Sequence, residues 1–456
     1  MELRRKIYDK LVDWKKRSSG STALLIEGAR RIGKSTIAEK FGRENYKSYI
    51  LIDFARASKV IKDNFYDNLN DLDTFFQRIS LEYNKRLYER DSLIIFDEIQ
   101  KFPKAREALK YLVSDGRYDY IETGSLISIR ENVDDIIIPS EEEKIKMYPL
   151  DFEEFLAASG EEILSEYIKE SYLNKTALEN RFHKKALQLF NEYILVGGMP
   201  RSIVAYLENN KDFFAADVEK RRILELYKDD IKKAAKKYSS KVSGIFDNIP
   251  GFLSKHDKKI VLSSVGKNKV FEQYDEPLFW LGDSMICNLC YRCTDPNVGL
   301  ALNKDETAVK CYMGDTGLLV SHAFSEGEIT SSNLYRQIIN GRLSINKGML
   351  YENIIAQILT AAGKKLYYYV HYSKEKKRND IEIDFLLSND KKTKTKVIPI
   401  EVKSSKNYTT TSYDKFKSKF GSRVESSFVI HPKAFSADEN GYKIPSYMAH
   451  CIAYEE

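Results

Sequence analysis

Residues 24–36, LLIEGARRIGKST, constrain this chain more than any other stretch. Gly28, Gly33, Lys34 and Ser35 fill every required position of the pattern G-x-x-x-x-G-K-[ST]. Each part has a physical task. The glycines let backbone N–H groups close around phosphates, Lys34 reaches the β/γ oxygens, and the Ser35 hydroxyl can ligate Mg²⁺, with Thr36 beside it at the same anion. The context agrees: residues 23–26 are an apolar run that reads as a buried strand, and residues 35–41 read as a helix whose N-terminus faces the anion. The chain is therefore expected to bind a nucleoside triphosphate, ATP, together with Mg²⁺.

The segments that follow fit a parallel sheet. SYILIDF (48–54) reads as its second strand, and residues 56–90 are polar with helical stretches. LIIFDE (93–98) is an apolar strand ending in two carboxylates, the Walker B arrangement. Such a strand delivers Asp97 to the magnesium and sets Glu98 to polarise the attacking water as general base. A further short strand ends in ETGS, which makes Ser125 the first and Thr123 the second candidate for a hydroxyl facing the γ-phosphate. Residues 1–17 carry Leu3, Ile7, Leu11 and Trp14 at helical spacing.

Composition narrows the class. A chain of 456 residues exceeds one hydrophobic core, and 43% hydrophobic with 31% charged residues describes a globular protein. No apolar run approaches the ~18 residues of a membrane-spanning helix, and the N-terminus lacks the apolar core of a signal peptide. The expected location is the cytoplasm, with no membrane partner and five reduced cysteines. Net charge is +6, and Lys and Arg crowd the region after residue 364, notably 374–378, 391–396 and 403–419.

Residues 150–235 read as mostly helical, broken by a sharp Val-Gly-Gly-Met-Pro turn at 196–200. Arg201, Arg221 and Arg222 are candidate arginine fingers, against the alternative of ion pairs along a helix. From 241 to about 296, two helical segments, an SSVG turn, a helix over 270–281 and the strand-like MICNLCYRC suit a small winged helix-turn-helix. Cys287, Cys290 and Cys293 have iron–sulfur-like spacing, but a strand would send that spacing to alternate faces, so they read as structural thiols.

A second chemical constellation lies near the end. Glu352 sits in an amphipathic helix (MLYENIIAQILTA), Asp384 in the strand IEIDFLL, and Glu401 and Lys403 share a face of the strand VIPIEVK. The three carboxylates, Glu352, Asp384 and Glu401, are hard oxygen ligands for Mg²⁺, and Lys403 would orient water or stabilise a pentacovalent phosphate. Helix Glu, strand Asp and E-x-K amid lysines is the layout of a metal-dependent phosphodiesterase.

Taken in order, GARRIGKST, LIIFDEIQ, ETGS, YPLDFEEF, VGGMP, KCYMGDTGLL, GMLYENIIA, IEIDF and IPIEVKSS resemble a prokaryotic family of AAA-type P-loop ATPases fused to a C-terminal domain of the PD-(D/E)XK nuclease superfamily. No proline precedes Asp384, a departure from that superfamily's pattern. The resemblance implies an α/β fold: an ATPase core (1–149), a helical lid (150–236), a winged-helix-like segment (237–300) and an α/β nuclease-like domain (301–456). It implies an ATPase whose nucleotide state controls a metal-dependent, DNA-acting domain. The alternative is an ATP-driven switch whose C-terminal domain binds nucleic acid without cutting. A small-molecule kinase is disfavoured because Glu98 directly after Asp97 suits water activation. The expected partner is nucleic acid, DNA before RNA; assembly into a homo-oligomer stays open.

Overall fold

The computed structural model describes residues 1–125, 140–255, 258–260, 274–297, 299–324, 335, 337–338, 346–375, 377–389, 396–439 and 441–453. Two compact units emerge: one holds 4–148 with 283–285, the other holds 1–3, 149–282 and 286–456. The sequence-based boundaries at 236/237 and 300/301 both fall inside the larger unit. No helix among the described residues is long and apolar enough to cross a membrane.

The smaller unit is built on a parallel sheet of β1 (Ala23–Glu27), β2 (Ser48–Asp53), β3 (Ser92–Asp97), β4 (Asp119–Gly124) and β5 (Glu142–Lys146), in the order β2-β3-β4-β1-β5. β4 thus lies between the strand that precedes the phosphate loop and the strand that ends in Asp97. Strands β1, β3 and β4 are buried along their whole length, as apolar runs covered on both faces must be. On one face, Phe54, Phe65, Phe96 and Phe102 interlock at ring distances of 5.2–5.8 Å. The helix Ile7–Ser18 buries Ile7, Leu11 and Trp14, three of the four residues expected on its apolar stripe.

In the larger unit the described strands form one mixed sheet. Its members are β6 (Cys287–Cys293), β7 (Lys304–Met313), β8 (Leu366–Ser373), β9 (Arg378–Asn389), β10 (Lys396–Val402), β11 (Phe428–His431), β12 (Ser436–Asp438) and β13 (Gly441–Pro445), in the order β12-β13-β11-β10-β9-β8-β6-β7. β9 runs antiparallel to both β8 and β10, whereas β10 and β11 are parallel and joined through the helix Thr411–Phe420. The stretch expected to close a winged helix is β6, an interior strand paired with β7 and β8. Its three cysteines are buried, Cys290 on the opposite face from Cys287 and Cys293. The expected SSVG turn and the first residues of the helix over 270–281 lie outside the described residues; the helix itself is seen as Asp275–Asp283.

The helical part of the larger unit is locked by two motifs distant in sequence. The helix Asn180–Val196 ends at Gly197, whose φ of 79° an L side chain rarely adopts. A Cβ on Gly197 would lie 2.9 Å from the Cα of Gly317, and one on Gly317 would meet the Gly197 nitrogen at 2.5 Å. Asp315 spans the junction: its Oδ2 accepts from Gly198 N at 2.6 Å, and its Oδ1 caps the helix Thr316–Ala323 through Leu318 N at 2.9 Å. Asn353 and Gln357, on the helix Lys347–Ala361, close the network by bonding the backbone of Met313 and Thr316. VGGMP and MGDTGLL are therefore two halves of one joint.

Candidate functional site

In the smaller unit, the carboxyl ends of β1, β3 and β4 bring the predicted residues together. Gly33, with φ 96°, starts the helix Lys34–Asn45, so the loop 28–33 turns sharply into a helix N-terminus whose first N–H groups have no helical partner. Lys34 Nζ donates to the carbonyls of Gly28 and Ala29, each at 2.9 Å. Burial pushes its ammonium down to about 8, against the pull of Glu98 and Asp97. Arg5 braces the loop from behind, donating to Ile32 O at 2.9 Å and Tyr148 O at 2.6 Å.

Ser35 Oγ donates to Asp97 Oδ1 at 2.7 Å, and Thr123 Oγ1 donates to the same oxygen. Thr36 is the next residue of the same helix. Glu98 follows Asp97 at φ 52°, a left-handed conformation for a non-glycine residue, and Gln100 Nε2 donates to its carboxylate. Ser125 lies just past the end of β4, so the hydroxyl on Asp97 comes from Thr123. Ser35 and Asp97 present a hydroxyl and a carboxylate oxygen side by side, a donor set that fits Mg²⁺.

Behind this edge lies a charged cluster that sequence reading missed. Glu122 is fully buried on β4, and Arg106 holds the neighbouring Glu142 at 2.7 and 2.8 Å. Burial, reinforced by the charge of Glu142, keeps the Glu122 carboxyl well above its ordinary range.

The finger candidates belong to the larger unit. Arg221 is committed there to Asp217 at 2.8 Å and Phe324 O at 3.1 Å, and Arg222 to Glu219 at 2.5 Å; Arg201 is exposed. The five cysteines are buried and unbridged, and among the described residues no three His, Cys, Asp or Glu side chains converge as a metal site.

The C-terminal constellation is assembled on adjacent elements but not as one set of metal ligands. Glu352 lies on the helix Lys347–Ala361, which is buried all round from Met349 to Leu359 rather than amphipathic, Asp384 on β9, Glu401 on β10, and Lys403 just past that strand's end. Asp384 Oδ2 accepts from Val402 N at 2.8 Å, while Glu401 pairs with Lys403 at 2.5 Å. Glu352 is engaged by cations the sequence did not flag. Lys258 pairs with its Oε1; Lys310 Nζ stands 3.8 Å from its Oε2 and 3.8 Å from Glu382, and Tyr312 OH donates to Oε2 at 3.1 Å. Burial and the charge of Glu352 push Asp384 up to about 7, with Lys310 and Lys258 pulling the other way. Burial also raises Glu401, against Lys403. Burial alone would lower Lys310, but Glu352, Asp384 and Glu382 together hold it above its ordinary value. As arranged, ammonium groups offset the charge of this pocket: Lys258 and Lys310 face Glu352, and Lys403 occupies Glu401 Oε1 and leaves its Oε2 without a hydrogen bond.

Of the surface lysines, Lys415 and Lys417 on the helix Thr411–Phe420 touch Asp380 O and Glu439 O at 3.4 and 3.1 Å. Lys376 and the lysines of 391–395 lie outside the described residues.

Comparison with known proteins divides the chain in three. Residues 20–156 match a family described as an AAA domain. Residues 187–327 and 347–447 match two domains of unknown function, DUF8612 and DUF4143. No curated protein matches the sequence. Similar solved structures include the Aeropyrum pernix ORC1 protein in complex with DNA, 12% identical over 72% of this chain and 94% of that one, at a TM-score of 0.30. AMPPCP-bound DnaA from Aquifex aeolicus is 12% identical over 61% and 80%, at 0.28, and the ADP form of the A. pernix ORC2 protein is 14% identical over 76% and 96%, at 0.26. Likenesses this distant carry no argument about activity. The family match, the phosphate loop and the parallel sheet together mark residues 20–156 as an AAA domain with a P-loop.

Proposed function

We propose that the chain binds and hydrolyses ATP at the edge formed by Lys34, Ser35, Asp97 and Thr123, and that its nucleotide state is coupled to a C-terminal domain acting on nucleic acid. The observation that carries the reading is the meeting of Ser35 and Thr123 on one oxygen of Asp97, beside the loop that holds Lys34. Ser35 and Asp97 would hold Mg²⁺, which supplies charge neutralisation at the β/γ-phosphates. Lys34, drawn back on its own loop carbonyls, has a closely matched alternative partner in phosphate oxygens. Glu98 accepts the proton of the attacking water, and Gln100 fixes where its carboxylate starts from.

For the C-terminal domain the supported activity is contact with phosphates, DNA before RNA, through the lysines around β9, β10 and the helix Thr411–Phe420. A second reading, metal-dependent cutting, has the placement of Asp384, Glu401, Lys403 and Glu352 in its favour. Against it stands the neutralisation of Glu352 by Lys258 and Lys310.

Purified full-length protein with ATP, Mg²⁺ and plasmid DNA tests the proposal. Glu98→Gln should bind ATP yet hydrolyse it ~10²–10⁴-fold more slowly. Turnover at the parental rate would remove Glu98 as the base. DNA affinity should fall with salt at a log–log slope of about 0.9 per phosphate contacted, and should differ between ATP and ADP in the parent but not in Lys34→Ala. A flat salt response would remove the lysines as the binding surface, and equal affinity in both nucleotide states would remove the coupling.

A further inference from the structure

The C-terminal acid pocket contains a buried cation with no hydrogen-bond partner. Lys310 is fully buried, and its Nζ makes no hydrogen bond within the limits of normal geometry, standing instead 3.8 Å from both Glu352 and Glu382. Its side chain passes over the Tyr368 ring at 4.8 Å, which helps hold an ammonium in an apolar wall. A second lysine arrives from a different direction. Lys258 makes the direct ion pair with Glu352, and only 14% of its side chain is exposed.

The way Lys258 reaches the pocket is specific. It has φ 49°, a conformation that a residue with a Cβ adopts only when its neighbours impose it. The next two residues supply that constraint: Lys259 forms an isolated antiparallel bridge with Lys310 itself, and Ile260 N donates to Val309 O at 3.1 Å. One short segment is thus clipped to the outer edge of β7, and the clip swings Lys258 inward onto Glu352. Both lysines also interact with the charge on Asp384. Two acids from different elements, Glu352 and Asp384, therefore share two internal cations, where a divalent ion would otherwise have to hold them together.

Resting on the reading that this pocket is the working site of the C-terminal domain, we infer that Lys258 is its built-in counter-ion, and that a divalent cation can join Glu352 and Asp384 only by displacing it. The two cations compete for Glu352, whose Oε1 Lys258 occupies. Lys258 is the one that can leave, because it enters on a surface segment held by a single bridge. Lys310, fixed within β7, stays and keeps the two acids from repelling one another when the exchange occurs.

Mn²⁺ binding to the full-length protein, read by electron paramagnetic resonance, tests this without relying on activity. Asp97→Asn is present throughout, so that the nucleotide site contributes nothing. Lys258→Met, which keeps length and removes charge, should bind Mn²⁺ roughly tenfold or more tightly than the parent, since one unit of positive charge leaves the pocket. Lys258→Arg should bind no better than the parent, and adding Asp384→Asn to Lys258→Met should abolish the gain. Equal affinity in parent and Lys258→Met, lost on Asp384→Asn, would overturn the competition while leaving a metal site. Absence of any Asp384-dependent Mn²⁺ binding, even in Lys258→Met, would overturn the inference and metal-dependent cutting together.

Discussion

The two candidate sites keep buried carboxylates in different ways. At the nucleotide edge Asp97 is held by two neutral hydroxyls, Ser35 and Thr123, and behind it Glu122 is kept from ionising by burial. In the C-terminal pocket Glu352 and Glu401 are met by full charges, those of Lys258, Lys310 and Lys403. A hydroxyl gives way to a metal ion at little electrostatic expense, whereas an ammonium must be removed before the ion can enter. The first arrangement is ready for a divalent cation. The second is already neutral without one.

Three measurements strain that contrast. The largest effect should come from Lys310→Met. Deleting a buried ammonium that faces Glu352 and Glu382 should cost about 3–5 kcal/mol in urea denaturation, whereas Ser35→Ala, which removes a neutral partner of Asp97, should cost about 1 kcal/mol. Similar losses for the two variants would erase the distinction between charged and neutral partners. Next comes Thr123→Val. If Thr123 orients Asp97, ATP turnover at limiting Mg²⁺ should fall roughly 10–100-fold, while Ser125→Ala stays near the parent. The reverse ranking would return the role to the residue beyond the strand.

The last effect is a slope rather than a single loss. Glu122 keeps its proton in the folded state well above the 4.5 at which it is released on unfolding. Over that window the unfolded chain binds fewer protons, so this group lowers stability as pH rises, by up to about 1.4 kcal/mol per pH unit. Glu122→Gln preserves a neutral side chain and removes the slope. Its melting temperature relative to the parent should climb as pH rises above the ordinary carboxylate range. A constant difference would mean that Glu122 is ionised in place, and that the nucleotide unit also tolerates a bare buried charge.

What could be read from sequence follows the range of the interactions involved. The phosphate loop and the LIIFDE strand are contiguous, so their residue types and spacing determine their geometry locally. Asp384 and the Glu401-x-Lys403 pair were legible for the same reason, since period two fixes which strand residues share a face. Lys310 was not. In the run AVKCYM it looks like one polar residue in an apolar strand, and only the partners of that strand disclose three acids around it. Lys258 had no periodic signal, because a lone bridge to Lys310 and a left-handed backbone bring it inward. The place of β6 inside the sheet was not legible, because its parallel partner β8 comes from a distant stretch of the chain.

The joint between Gly197 and Gly317 bears on how such a chain can be inherited. Its two halves come from positions 120 residues apart, and neither tolerates a methyl group facing the other. A recombination event joining a foreign C-terminal segment after residue 236 or 300 would strand the Gly198 N–H without Asp315 and leave the close approach unmatched. Exchange near residue 148 severs none of these bonds. The helical stretch and the strands after it should therefore travel between lineages as one hereditary block, changing ATPase partners more readily than they change each other.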